Sequence, residues 1–233
     1  MPKGWPGAIC FDFDGVLLNS EPLHYLAYYE VLKQEGMQLG EAEYYQELIG
    51  FDDGGAFRHF YKLKGKTLDP KTFLRVMTRK SEVMREIIAS RKVEALPGVE
   101  ALVRGLVRNY PLAIVSGALR EEIEVMLEGV NLRDCFSVIV AAEDVTVGKP
   151  DISGYLKAIE ELSRLNDRLI KPADTLVVED APTVIANAGA AGFVTLGVAT
   201  SKPLSAMTGA DYVVTSLSPE VVARTIKRLK TVV

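Results

Sequence analysis

Cysteine is scarce in this chain: Cys10 and Cys135 are the two among 233 residues, far apart and in apolar surroundings. A disulfide framework or a metal knuckle needs more cysteines at closer spacing, so two buried free thiols are expected. No apolar run reaches the ~20 residues that cross a bilayer, which argues against a membrane partner. Met1-Pro2-Lys3-Gly4-Trp5-Pro6 has turn residues before any apolar stretch, so no signal peptide is expected and a cytoplasmic location follows as the default. A basic excess is also missing. The 27 Lys and Arg stand against 31 Asp and Glu, a formal net charge of -4. Nothing therefore supplies the cationic field that offsets nucleic-acid phosphates, and a small anionic ligand needs a local positive site. Internal repeats and low-complexity tracts are not evident. What remains is an ordinary globular composition, 48% hydrophobic and 25% charged, of one or two domains.

Short apolar runs that end in polar residues recur along the chain. Ala8-Ile9-Cys10-Phe11 runs into Asp12, Leu112-Ala113-Ile114-Val115 into Ser116-Gly117, and Val138-Ile139-Val140-Ala141-Ala142 into Glu143-Asp144. Thr175-Leu176-Val177-Val178 runs into Glu179-Asp180; Val194 to Val198 and Tyr212-Val213-Val214 follow. Continuous apolar runs of this length fit strands covered on both faces, as in a parallel sheet. Between them, 98–107, 120–127 and 153–165 carry apolar residues at three- and four-residue spacing, the mark of helices. Strands alternating with helices predict a three-layer α/β core with a parallel sheet, whose ligands sit beyond the carboxyl ends of the strands. Residues 19–95 break the alternation. Leu23, Leu26, Ala27 and Val31, and later Phe73, Val76, Met77, Val83, Met84 and Ile87, predict a helical insert after the first strand, with Leu96-Pro97-Gly98 marking the return. The predicted division is a core of 1–18 with 96–233 and a helical cap of 19–95.

Four clusters fall at the predicted strand ends. Asp12 and Asp14 lie on one side of a strand, and Gly15 permits a sharp turn near a ligand. Two carboxylates so close repel each other, so burying them needs a cation or a raised pKa; the alternative is a solvated acidic turn. Ser116-Gly117 before a helix offers a hydroxyl and free N–H groups to an anion, or is an ordinary N-cap. Lys149, in Gly148-Lys149-Pro150-Asp151, supplies fixed positive charge or is simply solvated. Glu179-Asp180 provides hard oxygen ligands suited to Mg²⁺, or Asp180 is a helix cap.

In this order and at these strand ends, the residues resemble the haloacid dehalogenase superfamily of phosphotransferases. Phe11-Asp12-Phe13-Asp14-Gly15-Val16-Leu17 is similar to that family's first motif; Ser116 matches the second, Lys149 the third and Glu179-Asp180 the fourth. Asn19-Ser20-Glu21-Pro22-Leu23-His24 resembles the cap entry of the β-phosphoglucomutase-like and phosphoglycolate-phosphatase-like branch. The resemblance implies a Rossmann-like core with a small α-helical cap that governs substrate choice. It implies Asp12 as the nucleophile on phosphorus and Asp14 as the acid that protonates the leaving oxygen and then activates water. Mg²⁺ would be held by Asp12, the Asp14 carbonyl, Asp180 and Glu179, the last directly or through water. Ser116, Gly117 and Lys149 would hold the phosphoryl oxygens. Ala181 and Val184 depart from the family pattern without touching these acids.

The expected function is a Mg²⁺-dependent phosphomonoester hydrolase of a small phosphorylated metabolite, working through an aspartyl-phosphate. The alternative is a hexose-phosphate mutase. His24 and Lys80, at positions matching cap residues of mutases, are candidate substrate contacts in either case. Ser116-Gly117-Ala118-Leu119 lacks the Ser-Lys pair of mutases, with Arg120 as a substitute, and Gly50-Phe51-Asp52-Asp53 lacks an arginine for a second phosphate. Arg58, His59 and Lys62 are further cap candidates, whereas Tyr28, Tyr44, Tyr45 and Phe57 read as cap-core aromatics. A dehalogenase would make Asp14 and Glu179-Asp180 superfluous, and a non-catalytic binding protein would not need the full set.

Overall fold

The computed structural model describes residues 5–49, 51–90, 93–227 and 229; Met1 to Gly4 and Gly50, which entered the sequence reading, lie outside them. The chain divides into two compact units, Met1–Asn19 with Val93–Val233, and Ser20–Lys92.

The first unit is built on six strands, β1 (Ala8–Phe11), β2 (Leu112–Val115), β3 (Val138–Val140), β4 (Thr175–Glu179), β5 (Val194–Val198) and β6 (Tyr212–Val214). All neighbours pair in parallel, in the order β3-β2-β1-β4-β5-β6. The strand order reverses at β1, so the crevice beyond the carboxyl ends of β1 and β4 is the ligand position that this topology creates. The expected strand 138–142 stops at Val140. Ala142–Asp144 is a 3-10 turn, because the Asp144 carboxylate folds back to accept the Ala141 N–H at 2.8 Å.

The Ser20–Lys92 unit is helical: α1 (Glu21–Gln34), α2 (Glu41–Glu47), α3 (Asp53–Leu63) and α4 (Pro70–Ser90). The longest pair, α1 and α4, pack together. On α4 the buried stripe is Val76, Lys80, Val83, Met84 and Ile88, at helical spacing; Lys80 is the charged member of an apolar face. Asp52 caps α3 by accepting the Gly55 N–H at 2.5 Å. Tyr28, Tyr44 and Phe57 pack as expected in this core, while Tyr45 is largely at the surface, edge-on to Tyr44.

The remaining helices, α5 (Val99–Leu106), α6 (Arg120–Gly129), α7 (Ser153–Leu165), α8 (Pro182–Ala190) and α9 (Pro219–Thr225), belong to the first unit. Side chains alternate between the sheet faces. Ala8, Cys10, Ala113, Val115, Val138, Val140 and Val177 share one face, covered by Tyr155, Ala158, Ile159 and Leu162 of α7 and by Val184 and Ala188 of α8. Ile9, Phe11, Leu112, Ile114, Leu176 and Val178, of the other parity, are equally buried, which is why the strands read as unbroken apolar runs. Helix α7 crosses β1, β2 and β3. Gly154 makes that close approach possible: a Cβ there would lie 2.8 Å from Val115 Cγ1.

Candidate active site

Parity fixes which acids meet. Asp12 continues the Ala8–Cys10 face, and Glu179 the Val177 face, so both emerge on the side covered by α7. The ladder persists past β1, with the Asp12 N–H donating to the Val178 carbonyl at 2.9 Å. Carboxylate oxygens of Asp12, Glu179 and Asp180 all lie within 4.8 Å of one another, and all three residues are buried. Lys149, from the loop before α7, bridges two of them, donating to Asp12 Oδ1 and Glu179 Oε1 at 2.6 Å each. The Lys149 ammonium also stands 5.2 Å from the centre of the Tyr155 ring, a cation–π contact. Tyr155 Oη donates to Glu179 Oε1 at 3.1 Å. The other oxygen, Glu179 Oε2, accepts the N–H groups of Asp180 and Ala181, both at 2.9 Å.

Asp14 is outside the set of three carboxylates that lie within 4.8 Å of one another, but its charge still acts on Asp12 and Asp180. Its Oδ2 accepts from Ser116 Oγ at 3.4 Å. Ser116 does not cap α6, whose N-cap is Leu119; its Oγ instead accepts the Ala118 N–H at 3.0 Å, leaving Gly117 exposed at the bend. Gly15 turns the chain with φ of 75°, and a Cβ there would fall 2.6 Å from Asp180 Oδ2. Two contacts at this edge carry no signal in the sequence. Thr200 Oγ1 donates to the Gly15 carbonyl at 2.6 Å, and Ser201 hydrogen-bonds the Asp180 side chain. Both follow β5 in a polar loop with no pattern to mark them. Tyr155, which fits the helical pattern as a core residue, is the third functional contact that sequence alone does not single out.

Burial, reinforced by Glu179, Asp180 and Asp14, pushes Asp12 well above the usual carboxylate range despite Lys149. Asp180 rises to about 6, mainly through burial with Glu179 and Asp14 adding, against Ser201 and Lys149. Burial works against the Lys149 charge, yet Asp12 and Glu179 hold its pKa above the ordinary lysine value. Burial and then Glu179 raise Tyr155 well above a free phenol, so it is a neutral donor. Cys10, beneath the site, is pushed up to about 12 by burial and is inert as a nucleophile. Three carboxylates face one ammonium. Fully ionised, they leave two negative charges uncancelled, the amount that one divalent cation neutralises. An all-oxygen donor set suits a hard ion such as Mg²⁺, so the residues fit that metal.

The cap candidates lie in the Ser20–Lys92 unit, where Lys80, His24, Arg58 and His59 are engaged. Lys80 pairs with Asp53 at 2.8 Å and meets His24 Nδ1 at 3.1 Å, while Tyr28 Oη donates to Asp53 Oδ1 at 2.7 Å. Burial alone would raise Asp53, but Lys80, His24 and the hydrogen bonds from Lys80 and Tyr28 outweigh it and hold the carboxyl below its ordinary range. Arg58 stacks on Phe73, His59 pairs with Glu47 and stacks on Phe51, and Lys62 is exposed. In the first unit Arg120 is taken by Asp144 and the Ile139 carbonyl, bracing the segment that leads to Lys149.

The family model of the haloacid dehalogenase-like hydrolases matches residues 9–198. The fructose-1-phosphate phosphatase YqaB of Escherichia coli is 30% identical over 187 residues, 79% of this chain and 92% of that protein. Among solved structures, CbbY of Rhodobacter sphaeroides in complex with phosphate superposes with a TM-score of 0.79 at 23% identity, covering 91% of this chain and 95% of the other. β-Phosphoglucomutase of Clostridium difficile does so at 0.77 and 20%, covering 91% and 92%.

Proposed function

The chain belongs to the haloacid dehalogenase-like hydrolases, and on that premise we propose that it hydrolyses the phosphomonoester of a small sugar phosphate, with Asp12 as nucleophile and Mg²⁺ as cofactor. The observation that carries this reading is the buried Asp12 carboxylate, held by Lys149 at 2.6 Å within a single ion's reach of Asp180. Asp12 and Asp180 would ligate Mg²⁺ with the Asp14 carbonyl, and Glu179 would complete the acidic wall. When bound, the ion offsets the negative charge that carboxylates and phosphoryl group bring together.

In the first half-reaction an Asp12 oxygen forms a bond to phosphorus as the ester P–O bond breaks, and the Asp14 proton passes to the departing alkoxide. In the second, water attacks the aspartyl-phosphate, its proton returns to Asp14, and the P–O bond to Asp12 breaks, releasing inorganic phosphate. The displacement is thereby divided into two easier steps. Ser116, Gly117 and Lys149 hold the phosphoryl oxygens, since positioning and charge supply most of the catalysis in phosphoryl transfer.

Hydrolysis is favoured over mutase chemistry because Ser116-Gly117-Ala118-Leu119 lacks the Ser-Lys pair of mutases, and Arg120, its candidate substitute, is taken by Asp144 and the Ile139 carbonyl. The sugar-phosphate class rests on the Escherichia coli relative. The test is phosphate release from a panel of sugar phosphates and a generic aryl phosphate with Mg²⁺, with and without EDTA. Asp12→Asn should lower kcat by at least about a thousandfold. Inactivity of the folded protein across the panel would sink the proposal. Prompt conversion of β-glucose 1-phosphate to glucose 6-phosphate, given a bisphosphate primer, would instead establish the mutase.

A further inference from the structure

Glu179 is saturated. An ionised carboxylate offers about four acceptor positions, and four donors occupy them: Lys149 Nζ at 2.6 Å and Tyr155 Oη at 3.1 Å on Oε1, and the N–H groups of Asp180 and Ala181 at 2.9 Å on Oε2. Its side chain is 1% exposed, so no water shell supplies further freedom. Asp12 differs, because its Oδ2 accepts no hydrogen bond from the described residues.

We propose that Glu179 acts as a positioning residue for Lys149 rather than as a direct metal ligand, and that Tyr155 is the side chain that fixes it in that role. The inference deepens the phosphohydrolase reading and rests on it.

The geometry supports a division of labour. The two backbone N–H groups pin Oε2 against the β4 end, which orients Oε1 toward α7. Tyr155, six residues after Lys149, reaches Oε1 from the helix and places its ring beneath the ammonium. Lys149 is therefore gripped between one carboxylate that is itself clamped and another, Asp12, that must remain available to phosphorus. Without the clamp the ammonium would follow Asp12 alone and lose its fixed place at the phosphoryl group. Gly154 contributes by letting α7 sit close enough on β2 for the neighbouring Tyr155 to reach across.

The experiment compares Tyr155→Phe, Glu179→Gln and Asp180→Asn with the full-length wild type. Mg²⁺ binding is measured by isothermal titration calorimetry, the kinetic constants on the best substrate of the panel, and folding by thermal melting. Asp180→Asn should weaken Mg²⁺ binding more than tenfold. Glu179→Gln should keep the Mg²⁺ dissociation constant within threefold of wild type while kcat falls tenfold or more. Tyr155→Phe should leave Mg²⁺ binding and KM unchanged and lower kcat three- to tenfold, a split that a general loosening of the fold would not produce. Mg²⁺ binding weakened as much in Glu179→Gln as in Asp180→Asn makes Glu179 a ligand and overturns the inference. So does a Tyr155→Phe protein with wild-type kcat or altered Mg²⁺ affinity, and this variant decides alone if Glu179→Gln does not fold. Failure of the wild type to bind Mg²⁺ is the separate outcome that refutes the metal-dependent reading itself.

Discussion

Replacing Asp53 with Asn removes the counter-charge of Lys80, whose side chain is 1% exposed and lies 2.8 Å from the Asp53 carboxylate. At an effective dielectric of about 20, unit charges at that separation attract by roughly 6 kcal/mol. Most of this is offset by withdrawing both groups from water. The variant's loss is instead the penalty of a buried ammonium deprived of its Asp53 counter-charge, about 3–5 kcal/mol for a fully buried pair. Asp53 keeps 28% of its side chain exposed, so water reaches that end, and the lower limit of about 3 kcal/mol is expected. The Asn carbonyl can still accept from Tyr28, which isolates the effect of the charge. Urea unfolding followed by circular dichroism should show the loss. Hydrogen exchange should accelerate in α1, α3 and α4 and not in the sheet, because the whole cluster belongs to the Ser20–Lys92 unit. The folded Asp53 pKa lies below its ordinary value. Its contribution is therefore complete above the unfolded value of about 3.9 and fades as pH falls through the lower folded value. Because His24 faces the same carboxylate, the difference between wild type and variant should be at least as large at about pH 5 as at about pH 8, and should close below about pH 4. A loss under about 0.5 kcal/mol at neutral pH, or a difference that shrinks between pH 8 and pH 5, refutes the reasoning.

Gly15→Ala forces a side chain into a backbone with φ of 75° and onto Asp180 Oδ2. About 1–2 kcal/mol of strain should lower Tm by roughly 2–8 °C and kcat by about tenfold, and an unchanged kcat would count against the close approach of Gly15 to Asp180. Gly154→Ala meets Val115 Cγ1 at 2.8 Å and should cost about 1–3 kcal/mol. Val115→Ala should cost less in the Gly154→Ala background than in wild type, and losses that simply add in the melting curves would show that the contact is not the cause. Asp144→Ala strips the Ala141 N–H and Arg120 of their shared acceptor and should cost about 2 kcal/mol while lowering kcat through the segment that leads to Lys149; loss of stability with full activity would disprove that coupling.

The sheet was legible because burial on both faces writes strands as unbroken apolar runs, and because the residue after each run changes character abruptly. Five strands stop where those changes occur or within one residue. The exception, 138–142, has the same apolar lettering, but Asp144 bends it by accepting the Ala141 N–H, and a carboxylate that folds back leaves no trace in hydrophobic pattern. Lys80 did leave a trace: a lysine one turn from both Val76 and Met84 on an apolar stripe needs an acidic neighbour, yet Asp53, which fills that need, stands on another helix and cannot be chosen by spacing. Tyr155 illustrates a different limit. Its ring satisfies the α7 periodicity completely, which conceals that its hydroxyl is aimed at Glu179.

The position of the acids follows from the topology more than from any single residue. Parallel pairing puts every carboxyl end on one edge, and the reversal of strand order at β1 makes β1 and β4 neighbours. Phe11 lies opposite Val178, so the next residues outward are Asp12 and Glu179. Adjacent strands run about 4.8 Å apart, and carboxylates on two such ends necessarily come within reach of one ion. The same closeness makes them repel, and burial forbids water from relieving it. A cation has to be delivered from elsewhere in the chain, and the crossover from β3 to β4 is the segment that passes over β1. Its loop supplies Lys149 and its helix, α7, supplies Tyr155. Because one crossover carries both groups, any change that lifts α7 from β2 must move the ammonium and the hydroxyl together. The acidic edge and its counter-charge are thus consequences of one chain path.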